Sequence, residues 1–147
     1  MHAPARPGHS LLELSFVLLL LGVLLGAGLP PLRRAMAWAQ ARSARDAVAL
    51  QAARARALAV ARGGADLVLD LPHARAWIES SDTVLAPVVL GDERLLILSA
   101  DGSPADTVRI GWDGLGVGRI ASRTLRFRAG AAEARLTVSG YGRVRAW

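Results

Sequence analysis

The chain has 147 residues, 52% of them hydrophobic, a net charge of +6 and no cysteine, and its eighteen basic residues are all arginine. Without cysteine or lysine there is no disulfide framework, thiol nucleophile or thiol ligand, and no P-loop lysine, Schiff base or Ser-Lys dyad. The length fits one domain plus an appendage, and the positive charge suits a polyanion or an anionic membrane surface as well as it suits a bias toward arginine and alanine.

A short leader containing Arg6 is followed by Gly8-His9-Ser10-Leu11-Leu12-Glu13 and then by an apolar run that ends at Leu29. At 1.5 Å rise per residue, the stretch from Leu11 to Leu29 makes roughly 28 Å of helix, close to the ~30 Å hydrocarbon thickness of a bilayer. Glu13 is the charged residue in this span, and insertion alone disfavours it, by about 2.5 to 3.5 kcal/mol at a helix centre and less near the edge. A cleaved secretory signal carries an apolar region of about 7 to 15 residues ending in an A-x-A-like site, which Gly26-Ala27-Gly28-Leu29-Pro30 matches poorly. A plain single-pass anchor accounts for the length and apolarity but for neither Gly8 nor Glu13. Pro30 and Pro31 follow, and proline removes a backbone donor and clashes with the preceding turn, which predicts a kink or local melting there. Arg6 on one side and Arg33 and Arg34 on the other leave orientation by charge counting open.

From Met36 to Arg62, alanine and arginine dominate and neither glycine nor proline interrupts, which predicts helix. Ala44, Val48, Gln51, Ala55 and Leu58 recur at three- and four-residue steps as a narrow, small-residue stripe suited to lying on a sheet. Gly63-Gly64 stops the helix. Beyond it, short β-prone runs are expected near Asp66 to Leu71, Thr83 to Leu90, Arg94 to Ser99, Val108 to Trp112, Thr124 to Arg128, Arg135 to Ser139 and Arg143 to Trp147. Alternation places Leu125 and Phe127 on one face and Arg126 and Arg128 on the other, with an antiparallel partner in Arg135 to Ser139. The expected fold class is α+β: a long N-terminal helix, transmembrane and then amphipathic, covering one face of an antiparallel sheet.

No catalytic constellation is visible. Gly114-x-Gly116-x-Gly118 lacks the following helix that a phosphate-binding loop requires, and reads as a turn with positive-φ positions. His2, His9 and His73 are dispersed, His73 reads as a loop residue beside Asp70, and Asp92-Glu93 and Asp101 fall in expected hairpin connections, so no metal or other cofactor is expected. Gly142-Arg143-Val144-Arg145 stands apart. On a strand, Arg143 and Arg145 share a face at about 6.5 to 7 Å, near the spacing of successive phosphates on a nucleic-acid strand. Charge protecting an edge strand from aggregation explains the same pair, and Tyr141 and Trp147 are either stacking platforms or cover for a core edge.

The junction from Gly8 to Glu13, with its apolar run and Pro30, resembles the prepilin-type leader of type IV pilins and type II secretion pseudopilins. The stretches Ile110-Gly111-Trp112-Asp113-Gly114-Leu115-Gly116, Thr124-Leu125-Arg126-Phe127 and Leu136 to Arg145 resemble the minor subunits of the GspH/FimT type. The resemblance implies a leader over 1–8, a transmembrane helix over 9–29, a periplasmic half of the long helix over 30–63 and a β-rich domain over 64–147. Prepilin peptidase would cut between Gly8 and His9 and methylate the new amino terminus. Glu13, the fifth mature residue, would pair with the His9 amine of a neighbouring subunit, and removing one partner of such a buried pair costs about 3 to 5 kcal/mol. His9 stands where the family usually has phenylalanine. The implied role is a non-enzymatic minor pseudopilin at or near the pseudopilus tip, held in the bacterial inner membrane with its domain in the periplasm, where it contacts other pseudopilins or pilins, or secreted cargo. In the branch linked to natural transformation, the Gly-Arg-x-Arg element implies that a minor pilin's Arg143 and Arg145 contact DNA. The absence of cysteine suits a minor subunit. Residues 66–99 are the least family-like and are expected to hold the subunit's own surface.

Overall fold

The structure is a computed structural model that describes residues 10–81, 83–92, 94–99, 106–119 and 122–147, without the side chains of residues 27 and 28. Helix α1 runs from Leu11 to Arg62. Ser10 caps it, accepting the Glu13 N–H on Oγ at 3.2 Å and the Leu14 N–H on its carbonyl at 3.2 Å. Ser10-Leu11-Leu12-Glu13 has the spacing of a capping box, and a carboxylate in the first turn favours the positive end of the helix dipole.

The chain divides between Ala35 and Met36 into two units. In the first, every described side chain from Ser10 to Ala35 is exposed. The segment makes α1 long and apolar enough to cross a membrane by length and composition. Pro30 and Pro31 both lie inside α1, and the helix continues past them to Arg62.

The second unit holds the rest of α1 and, among the described residues, nine strands. They are β1 (Gly64–Asp70), β2 (Arg75–Ser80), β3 (Thr83–Val84), β4 (Val88–Val89), β5 (Leu95–Ser99), β6 (Thr107–Asp113), β7 (Arg123–Ala129), β8 (Ala132–Val138) and β9 (Val144–Ala146). They form two antiparallel sheets rather than the single sheet expected. One has the order β3-β2-β1-β6 with β4 also on β2, and the other β5-β7-β8-β9. The expected stripe on α1 is buried at Ala44, Val48, Gln51 and Ala55, and Ala41, Ala52 and Ala59 widen it. These small residues form the helix side of the core, and Leu67, Leu69, Ile78, Ile110, Trp112, Phe127 and Leu136 on the strands complete it. Trp112 and Phe127 are fully buried, and truncating either to alanine typically costs about 3 to 5 kcal/mol.

Gly63, at φ 83°, ends α1 in the left-handed region that favours glycine. The expected hairpin forms with Leu125 opposite Leu136 and Phe127 opposite Ala134. Two expectations need correction. The run from Thr83 to Leu90 is not one strand but the short β3 and β4, because Pro87 offers no donor to a ladder. Residues 75–80, which are not among the expected strands, form β2, which pairs Asp66 with Glu79 and Val68 with Trp77 on β1. Its buried set, Ala76, Ile78 and Ser80, contains only one large apolar side chain, so pairing to β1 rather than intrinsic propensity makes it a strand. His73 sits in the connection before it, as expected, with its ring Nδ1 2.8 Å from Asp70 Oδ2. Glu93 and Asp101 lie outside the described residues.

Candidate functional site

The C-terminal strand carries the most distinctive surface chemistry of the second unit. Among the described residues β9 is the edge of its sheet, paired only with β8 through Leu136–Ala146, Thr137–Arg145 and Val138–Val144. Arg143 enters just before it: its carbonyl accepts the Ser139 N–H at 2.8 Å and its own N–H donates to Ser139 Oγ at 3.1 Å. Arg143 and Arg145 are both exposed, on either side of Val144. Among the described residues neither guanidinium has a hydrogen-bond or ion-pair partner. The end of the strand is tied to α1, since Arg45 Nη1 donates to the Trp147 carbonyl at 2.9 Å while Arg45 also pairs with Asp46 at 2.8 Å.

Register gathers more arginines than the motif alone contains. Arg126 on β7 faces Arg135 on β8, Arg128 faces Glu133, and Thr137 faces Arg145, all on the sheet face opposite the core. Glu133 bridges Arg135 at 2.7 Å and Arg128 at 3.1 Å, and these guanidiniums hold its carboxyl below the usual range. Like charges directly opposite each other, as at Arg126 and Arg135, destabilise a ladder. Alternation flagged Arg126 and Arg128 in the sequence, whereas their alignment with Arg135 and Arg145 is set by strand pairing.

The glycines of the same segment are packing positions. A Cβ at Gly142, where φ is 78°, would lie 2.5 Å from Trp112 Nε1, and one at Gly118 would lie 2.8 Å from both the Gly140 carbonyl and the Gly142 nitrogen. The loop of residues 114–118 is a turn with Gly116 at φ 72°, as expected. Asp113 Oδ1 accepts the N–H groups of Leu115 and Val117, each at 2.9 Å. This loop and the Gly140–Gly142 turn close over the buried indole, which ties together the two halves of the C-terminal motif.

On the other sheet, Glu79 accepts from Trp77 Nε1 at 2.8 Å and from Arg109 at 2.6 Å, and both hold its carboxyl below the usual range. Arg119 reaches Asp66 at 3.1 Å. Among the described residues, no group of three or more His, Cys, Asp and Glu side chains is placed to hold a metal ion. Glu13 lies in the exposed first turn of α1, far in sequence from the β9 edge. Gly8 and His9 lie outside the described residues.

No protein-family model matches the sequence, and no curated protein matches it. Solved structures do. The type IV minor pilin FimU of Pseudomonas aeruginosa (strain PAO1) superposes with a TM-score of 0.59 at 16% identity, over 73% of this chain and 87% of that one. A second crystal form of FimU gives 0.56 at 17% identity, over 72% and 91%. The chain therefore has the pilin-like fold of FimU, one long N-terminal helix packed on antiparallel β-structure.

Proposed function

We propose that the chain is a non-enzymatic subunit of a pilin-like filament, a minor pseudopilin of a type II secretion system assembled at or near the pseudopilus tip. The observation that carries this reading is the combination of an exposed, membrane-length apolar segment with a pilin-like domain on one helix. Gly8-His9 is then the cleavage point for prepilin peptidase. Pro30 and Pro31, which supply no backbone N–H, are the place where α1 kinks or melts locally. Glu13 takes the His9 amine of a neighbouring subunit, fixing register along the filament. The leader faces the cytoplasm, the segment from residue 9 to 29 sits in the inner membrane, and the domain contacts neighbouring minor subunits or cargo in the periplasm. N-terminal mass spectrometry of the membrane-extracted protein tests the reading. A chain beginning at His9, with a methylated amine, is expected. An intact Met1 start in cells with active prepilin peptidase would overturn it.

A second reading is favoured by the exposed guanidiniums of Arg143 and Arg145: a type IV minor pilin that binds DNA for uptake. Replacing both with alanine is then expected to weaken duplex binding and to lower the slope of log affinity against log salt by about 0.9 for each phosphate no longer neutralised. Fluorescence anisotropy over a salt series reads both quantities, and an unchanged slope removes this reading.

A further inference from the structure

Beside β9 lies a groove of about 700 Å³ whose walls are α1 and the strand itself. Ala49, Ala53, Ala57 and Val60 follow one another at helical steps on the first wall, and Val144 and Ala146 form the second. This row lies next to the buried stripe of α1 but is not covered by the domain: Ala53, Ala57 and Val60 are exposed, Val60 by 57%. Shape and chemistry change at the strand. The Arg143 carbonyl and both main-chain groups of Trp147 bond toward β8. By the alternation of an antiparallel ladder, the N–H and C=O groups of Val144 and Ala146 therefore point the other way, to the open edge. An open edge strand beside a shallow wall of small apolar side chains is the geometry in which an extended peptide adds to a sheet: main-chain bonds hold it and alternate side chains fill the groove.

Charge selects the occupant. Among the described residues, Arg56 lines the groove and no carboxylate does, while Arg143 and Arg145 stand exposed beside Val144. A second copy of this chain, itself at +6, is repelled there. We propose that the β9 edge and the exposed alanine row of α1 form a docking groove for an extended, acidic segment of a different protein, added as a further strand beside β9. This inference does not depend on the filament assignment, because it rests on the edge, the groove and the charge alone.

The test uses the full chain in nonionic detergent and a synthetic peptide with an alternating alanine–valine centre flanked by glutamates. Binding is expected by fluorescence anisotropy, together with slowed hydrogen exchange at the Val144 and Ala146 amides. Ala146→Pro removes an outward N–H without touching a bond to β8 and is expected to weaken binding by about tenfold. Ala53→Leu, on the exposed helix wall, fills the groove and is expected to do the same with no effect on thermal unfolding. A peptide flanked by lysines should bind at least about tenfold more weakly. Absence of binding, unprotected Val144 and Ala146 amides, or equal affinity for the lysine-flanked peptide overturns the proposal. So does a duplex oligonucleotide that binds with these same two amides protected while the peptide does not.

Discussion

At the scale of single residues, the C-terminal motif has two jobs that the sequence presents as one. Arg143 and Arg145 are surface chemistry, exposed at an edge strand. Gly142 between Tyr141 and Arg143 is architecture, because its missing Cβ leaves room for the Trp112 indole and its φ of 78° suits glycine. Gly142→Ala therefore combines left-handed backbone strain with overlap at a fully buried tryptophan, an expected loss of about 1 to 3 kcal/mol. Thermal denaturation should show a midpoint several degrees lower, and Arg143→Ala in the same assay should change it little. Ser10 makes a similar point at the other end of the chain. The sequence drew attention to Glu13 as a charge out of place in an apolar span, but Ser10 shows that the same carboxylate also sits three residues after a helix cap, where a negative group is favoured by the dipole. Ser-x-x-Glu was readable as a capping box from spacing alone.

Among elements, β2 was the strand least legible in the sequence, and it places Glu79. Only when Trp77 and Glu79 lie on the outer face, with Arg109 of β6 across β1, does Glu79 gain its two donors. The indole N–H and the guanidinium favour the carboxylate form, so the folded-state value lies below the ordinary glutamate value of about 4.3. Between those two values the unfolded chain binds more protons than the folded one. The contribution is thus complete above the ordinary value and is lost as pH falls through the folded-state value. Glu133, held down by Arg135 and Arg128, adds to the same acid limb. The double variant Glu79→Gln and Glu133→Gln should show a shallower fall of melting temperature from about pH 5 to pH 3 than the parent chain. An equally steep fall would place the acid sensitivity elsewhere. The hairpin of β7 and β8, by contrast, was readable outright, since period-two alternation in Thr124 to Arg128 and in Arg135 to Ser139 is satisfied by one pairing register.

For the whole molecule, the division between Ala35 and Met36 separates an exposed apolar helix segment from a unit with its own core. A chain starting at Met36 is expected to stay soluble without detergent and to unfold cooperatively, whereas the full chain should partition into membranes; circular dichroism and membrane flotation report the two outcomes. Aggregation of the Met36 chain would mean that the N-terminal segment also completes the domain. Sequence by itself determined the membrane-length span, the helix up to Gly63, the α+β class and the alternating hairpin, because each follows from local periodicity or from a residue's own backbone limits. Tertiary structure alone decided the division into two sheets, the strand made of residues 75–80, the row of arginines on the outer face and the open edge beside the alanine wall. These depend on which strands become neighbours, and strand pairing joins residues far apart in the chain whose individual preferences carry no record of the partner.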